Sequence, residues 1–171
     1  MSFIRTKKIK GKEYAYIVEN KWKKRGKRVK QKTKKYLGRV YRHSKAEETD
    51  FYEFFDIQDI KSYIDEKEKE DIIDDLIRWE LDNHGFKEKQ GKWIKNNCFL
   101  DLDKKKVYNE KENNIALGFN DGFLTTYALR KLYNFSADSE EEGYDFAKMF
   151  IEAGINVPKE VFVGIFKKAL K

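Results

Sequence analysis

Cysteine, proline and long apolar runs are scarce in this chain of 171 residues. The single cysteine, Cys98, has no second thiol with which to form an internal disulfide or share a zinc ion. A disulfide-rich scaffold and a cysteine-rich zinc site are therefore excluded. No apolar run approaches the ~20 residues that a membrane-spanning helix requires, and the residues after Met1 lack the apolar stretch of a signal peptide. We therefore expect a cytoplasmic protein with no membrane partner.

Acidic residues are rare at the start of the chain and abundant after it. Residues 1–45 contain 18 Lys or Arg but only two acids, Glu13 and Glu19, whereas residues 46–171 contain 19 Lys or Arg and 28 Asp or Glu. This asymmetry is typical of a polyanion-binding segment joined to a region with a different surface. We predict a basic domain of residues 1–45 followed by an acidic body of residues 46–171.

The apolar pattern predicts a folded protein of the α+β class. Hydrophobic residues make up 40% of the chain and aromatic residues 15%, which is enough to build a core. Period-two patterns in the basic domain predict three antiparallel strands over residues 3–10, 13–22 and 28–37. In the body, the pattern predicts a helix over residues 65–83, a hairpin around Gly91, a short strand at residues 115–119 and further helices in the last third of the chain. The predicted architecture is a three-stranded basic sheet followed by an acidic mixed body with several helices and short β-hairpins.

Alternation along the middle strand assigns its aromatic residues to one face. Tyr14, Tyr16, Val18 and Trp22 fall on that face, where they either pack the sheet or stack on exposed bases. A three-stranded sheet with no covered face is marginally stable, so we expect this apolar face to pack against the body. Trp22 would then be buried, and the opposite face would remain for a ligand.

The third strand predicts a cationic stripe. Arg28, Lys30, Lys32 and Lys34 occupy alternate positions, so they project from one face at intervals of roughly 6.6 Å. Cations interleaved with aromatic residues indicate nucleic-acid binding, because phosphates require cations while bases and sugars can contact aromatic rings. A Lys-rich edge that prevents aggregation is the alternative explanation. A general enrichment in Lys and Glu, as in hyperthermophile proteins, does not account for the reversal of charge between the two segments.

We therefore predict phosphate-dominated binding of DNA or RNA, within a ribonucleoprotein or a replication or transcription assembly. The acidic body would face solvent or a protein partner. The predicted nucleic-acid contacts are Arg5, Lys7, Lys8, Lys10, Lys23, Lys24, Arg25, Lys27, Arg28, Lys30, Lys32, Lys34, Lys35 and Arg39.

Part of the basic domain resembles a known family. The residues Phe3-Ile4-Arg5, the runs 10–19 and 28–33, and the tetrapeptide Lys35-Tyr36-Leu37-Gly38 are similar to the basic leader of some insertion-sequence transposases and of short uncharacterised archaeal proteins. In those transposases the leader precedes a catalytic domain with three acidic metal ligands. The remaining residues of this chain are too few and too differently patterned for that domain. The resemblance thus implies a nucleic-acid-binding leader of archaeal character, without transposition.

Two further functions remain open. Asp101 and Asp103 lie two apart on a predicted strand, so their carboxylates would face the same way, and with Lys105 they fit the half-motif of a metal-dependent nuclease. A solvated hairpin end explains the same residues, so we expect no catalytic residues, no cofactor and no turnover of nucleic acid. An adaptor whose basic sheet binds an acidic protein is the third hypothesis. Glu80 and His84 are spaced i, i+4, which permits an ion pair or a shared ligand.

Overall fold

The structure, a computed structural model, describes residues 2–171, and all counts of elements refer to that range. The strands are β1 (Ser2–Ile9), β2 (Lys12–Lys23), β3 (Arg28–Arg42), β4 (Lys87–Lys89), β5 (Lys92–Lys95), β6 (Cys98–Asp101), β7 (Lys106–Asn109), β8 (Ile115–Phe119) and β9 (Gly122–Leu124). The helices are α1 (Phe51–Phe54), α2 (Ile60–Glu66), α3 (Lys69–Asn83), α4 (Thr126–Asn134), α5 (Gly143–Glu152) and α6 (Lys159–Ala169), with a short 3-10 helix at Glu140–Glu142. The predicted α+β class is confirmed. No helix within residues 2–171 is long and apolar enough to cross a membrane.

The first sheet begins with the three antiparallel strands that the sequence predicts. β1, β2 and β3 pair in that order, and the described residues then add β8 and β9 to the same sheet. β3 runs five residues beyond its predicted end at residue 37, and its residues Arg39–Arg42 pair in parallel with β8. One continuous sheet therefore contains strands from the basic segment and from the body. The second sheet has the order β4-β5-β6-β7.

The helix α3 provides the central apolar stripe of the core. Glu68 caps its first turn in a capping box with Asp71, so the helix begins at Lys69 rather than at residue 65 as predicted. The separate helix α2 occupies residues 60–66. The larger buried cluster joins α3, both sheets and the last three helices, and it includes Ile72, Ile73, Leu76, Leu100, Leu117, Phe146 and Ile165.

A smaller buried cluster attaches the first sheet to the body, and it corrects the predicted packing of β2. The cluster consists of Ala15, Ile17, Leu37, Val40 and Ala116. β2 thus packs Ala15 and Ile17 against the body, on the face opposite to the one we expected. Of the expected face Val18 is buried, whereas Trp22 is 63% exposed. The physical reason is close approach of backbones. Gly38 lies opposite Ala15, and a Cβ on Gly38 would stand 2.4 Å from the carbonyl oxygen of Asn114, so only small residues fit there.

Glu80 connects three parts of the body through a buried carboxylate. Its Oε1 accepts from Asn120 Nδ2 at 2.9 Å and its Oε2 accepts from the Asn156 N–H at 3.1 Å. His84 Nδ1 lies 2.8 Å from the Glu80 carbonyl oxygen and 3.4 Å from Oε1. Burial lowers the pKa of His84, so the ring is neutral at neutral pH and the contact is a hydrogen bond rather than an ion pair.

His43 supplies a pH-dependent element of stability. Its ring packs edge-on against Phe86 and Phe119, and its buried Nε2 has no hydrogen-bond partner among the described residues. Burial, with smaller contributions from Lys95 and His84, lowers the pKa of His43 to about 4. In the unfolded chain the pKa is ~6.5, so acid protonates the unfolded state first. This contribution to stability is complete above pH ~6.5 and is lost as the pH falls towards 4.

We predict that His43→Phe reduces this acid sensitivity. Phenylalanine keeps an aromatic ring between Phe86 and Phe119 but cannot be protonated. Thermal unfolding followed by circular dichroism at pH 7 and pH 4.5 should show a smaller decrease in Tm for the variant than for the wild type. Parallel pH profiles would show that His43 does not contribute to the pH dependence.

Candidate nucleic-acid interface

The β2–β3 hairpin extends beyond its neighbours as an exposed arm. β1 reaches only as far as Glu19 on one side, and β8 joins β3 only from Arg39 on the other. Residues 20–36, which we call the hairpin arm, are all exposed. They include ten Lys or Arg and no Asp or Glu. The most basic segment of the chain is thus also the part of the sheet that extends past its neighbouring strands.

The strand register collects the cations of the arm on one side, which we call the cationic face. Lys21 lies opposite Lys30, and Lys23 lies opposite Arg28. A register shift beside Ile17 places both Lys34 and Lys35 on this side. Their contacts show it: Lys34 contacts Glu19, and Lys35 contacts Tyr127. This register agrees with the prediction that the alternate cations of β3 share one face. The cationic face consists of Lys21, Lys23, Arg28, Lys30, Lys32, Lys34 and Lys35.

These cations repel one another with little internal compensation. Like charges directly opposite one another on a sheet destabilise it by roughly 0.2–1 kcal/mol per pair. Lys34 forms an ion pair with Glu19 at 3.4 Å, but no other cation of the arm forms an ion pair with any residue in the range 2–171. The arm therefore presents a positive surface that the chain itself compensates at only one position.

The cationic face continues onto helix α4 across a cleft of about 470 Å³. Lys35 Nζ lies 4.8 Å from the centre of the Tyr127 ring, and Lys131 Nζ lies 5.4 Å from the same ring. Arg130 also lines the cleft. Sequence reasoning missed this part of the interface because it averaged charge over the whole acidic body. A local signal was present, since residues 122–137 contain two cations and no acid.

The opposite side of the sheet, which we call the aromatic face, carries tyrosines and one tryptophan. The ring centres of Tyr16 and Tyr36 are 5.2 Å apart, and those of Tyr14 and Tyr36 are 6.4 Å apart. Tyr36 is 53% exposed. Partial burial, followed by the neighbouring phenols, raises the pKa of Tyr36, which keeps its hydroxyl neutral. Around Trp22 and Tyr36 this face is exposed instead of covered by the body as we expected, and Val18 is its buried residue.

The predicted contact residues do not all lie on one surface. Arg5, Lys7 and Arg39 lie on the aromatic face, because they pair with Tyr16 and Tyr14. Lys8 is on the other face of β1, and Lys10 is in the turn at the far end of β2, about 36 Å from the tip of the arm. The remaining nine lie in the arm: Lys23, Lys24, Arg25, Lys27, Arg28, Lys30, Lys32, Lys34 and Lys35. Lys21, which was not among the predicted contacts, lies on the cationic face.

The geometry expected of a nuclease site is not formed. β6 ends at Asp101, so Asp103 lies in the following turn and the two carboxylates do not share a strand face. Asp101 is buried, and its Oδ1 accepts from the Lys104 N–H at 3.0 Å, which closes the turn. Lys105 Nζ lies 4.3 Å from the Tyr133 ring. Within residues 2–171, no group of three His, Cys, Asp or Glu side chains is placed to hold a metal ion.

Comparison of the chain with protein-family models, with curated proteins and with solved structures gives no match. The resemblance to transposase leaders stays a prediction. The candidate interface is therefore defined by its own charge and geometry.

Proposed function

We propose that this protein binds nucleic acid through the hairpin arm, with the cationic face contacting phosphates. The observation that carries the proposal is the set of cations placed opposite one another on a projecting ribbon. Lys21 and Lys30 form one such pair, and Lys23 and Arg28 form the next. A polyanion removes the repulsion within each pair and releases its own counterions on binding, so association is favourable at low salt.

The spacing of the cations suits a phosphate backbone. Side chains on one face of a strand recur every ~6.6 Å, whereas phosphates of one DNA strand recur every ~3.4 Å along the helix axis, so each row offers roughly one cation for every second phosphate. Protection of a sheet edge requires only isolated lysines. It does not require two facing rows, together with Lys24, Arg25 and Lys27 in the connecting turn.

The charge of the remaining surface limits where the nucleic acid can lie. Residues 46–171 contain more acids than bases, and an acidic surface repels phosphates. The acid-free helix α4 is the exception, because Arg130 and Lys131 extend the cationic face there. We infer that the nucleic acid follows the arm and α4, while the acidic surface faces solvent or a protein partner in a ribonucleoprotein or a replication or transcription assembly.

Salt dependence tests this proposal on the wild-type protein. If about five phosphates of a duplex are neutralised, the slope of log Kobs against log salt is roughly −4.5, and affinity falls on the order of 500-fold between 50 and 200 mM salt. Fluorescence anisotropy of a labelled 20-base-pair duplex measures the slope. A flat salt response, or no binding at low salt to any DNA or RNA tested, would contradict the proposal.

A further inference from the structure

The aromatic face holds exposed rings that the proposed phosphate contacts do not use. Trp22 is 63% exposed and Tyr36 is 53% exposed, and both project from the side opposite the cationic face. Val29, directly opposite Trp22, is 56% exposed. The Tyr36 ring also packs beside the rings of Tyr14 and Tyr16. Large exposed aromatic surfaces held in a fixed position are typical of binding sites.

Cations lie beside other rings of the aromatic face. Lys7 Nζ lies 5.3 Å from the Tyr16 ring, and the Arg39 guanidinium lies 4.9 Å from the Tyr41 ring. Arg5 hydrogen-bonds Gln31 across β2 on the same side. Aromatic rings alternating with cations can stack bases while neutralising the phosphates between them. A purely apolar partner would leave these charges without a counterion.

A cleft of about 600 Å³ adjoins Tyr36 on this side. The sheet contributes Tyr36, Arg39 and Tyr41 to one wall, and the turns of the second sheet contribute the exposed Asn97, Lys111 and Asn113 to the other. This volume lies in the range of small-molecule pockets and is large enough to admit a nucleotide base. Amide side chains both donate and accept hydrogen bonds, which lets them contact the edge of a base.

We propose that the aromatic face binds a single-stranded segment of nucleic acid, with an unpaired base stacked on Tyr36 at the cleft and another on Trp22. A base within a duplex cannot offer its ring face to a side chain, because the neighbouring base pairs cover it. Single strands expose those ring faces, so stacking selects them whatever their sequence. The inference rests on the proposed function, since it names the form of nucleic acid that the same arm binds.

The test compares strandedness in matched variants of the full chain. The probes are fluorescein-labelled oligo(U) RNA, oligo(dT) DNA and a mixed-sequence duplex, all at one salt concentration. Tyr36→Ala and Trp22→Ala should each weaken binding of the single strands by roughly 5- to 150-fold and change binding of the duplex less than about twofold. Tyr144→Ala is the matched control, because Tyr144 is 77% exposed on α5, outside the arm. It should bind all probes as the wild type does.

A further variant and a competitor distinguish stacking from a damaged fold and from general attraction of anions. Tyr36→Phe keeps the ring, so it should bind single strands within about threefold of the wild type, and quenching of Trp22 fluorescence should accompany binding. The inference is overturned if Tyr36→Phe loses as much affinity as Tyr36→Ala. It is also overturned if poly-glutamate of equal charge displaces oligo(U) as well as unlabelled oligo(U) does, or if neither alanine variant weakens single-strand binding. If neither alanine variant weakens single-strand binding but the wild type binds the duplex in a salt-sensitive manner, the proposed function stands without the inference. A wild type that binds none of the probes would contradict both the proposed function and the inference.

Discussion

Replacement of Lys21, Lys30 and Lys32 by Glu is expected to weaken nucleic-acid binding by on the order of 500-fold at 0.1 M salt. Each neutralised phosphate contributes about eightfold to affinity at that salt through counterion release, and three lost contacts multiply. The slope of log Kobs against log salt should become shallower by roughly 3. The fold should remain intact, since all three side chains are exposed and such changes usually alter stability by only about 0.5 kcal/mol each.

A control with the same change in net charge separates the arm from the charge of the whole protein. Lys61, Lys89 and Lys159 are exposed residues of the body, outside both faces of the arm. Their simultaneous replacement by Glu should leave the affinity within about threefold of the wild type. Equal losses in the two triple variants would show that net charge, rather than the arm, determines binding. Wild-type affinity in the arm variant would remove the arm from the interface.

The second large effect is expected in stability. Glu80→Ala should lower the free energy of unfolding by about 3–5 kcal/mol, because it removes two hydrogen bonds to a buried charged acceptor, from the Asn156 N–H and from Asn120 Nδ2, and each such bond contributes about 1.5–3 kcal/mol. For a domain of this size the decrease in Tm is about 6–20 °C. Denaturant and thermal unfolding followed by circular dichroism measure both quantities.

Glu80→Gln provides the comparison for this prediction. The amide oxygen still accepts one of the two hydrogen bonds, so the loss of stability should be smaller than in Glu80→Ala. Because the network consists of residues in α3 and in the turns after β8 and α5, affinity for nucleic acid should be unchanged at a temperature where the variants are folded. A Tm of Glu80→Ala within about 2 °C of the wild type would contradict the role assigned to this carboxylate.

Local patterns predicted the individual elements well. β8 has the bounds 115–119 that its apolar run predicts, and the hairpin β4–β5 forms around Gly91 as expected. Such elements depend on neighbouring residues, which a single sequence displays directly. The alternation of side chains along a strand likewise predicted that the cations of β3 lie on one side of the sheet. It could not decide which face of β2 is buried, because Gly38, the residue opposite Ala15, closely approaches the backbone of Asn114, some 75 residues further along the chain.

Non-local pairing explains the other differences. The parallel pairing of β3 with β8 joins residues that are separated by all of α1–α3 and the second sheet, and no periodicity within β3 signals it. For the same reason the sequence did not place Arg130 and Lys131 beside Lys35. Asp103 was assigned to a strand because Asp-x-Asp fits the alternation. Instead the Asp101 carboxylate binds the Lys104 N–H and ends that strand.

Lysine footprinting tests most directly whether the arm contacts nucleic acid. The wild-type protein is treated with an acetylating reagent at low salt, alone and with saturating oligonucleotide, and the modification of each lysine is measured by mass spectrometry. Binding through the arm predicts strong protection of Lys21, Lys23, Lys30 and Lys32, with Lys61, Lys89 and Lys159 modified equally in both samples. Protection of the body lysines with no change in the arm would contradict it.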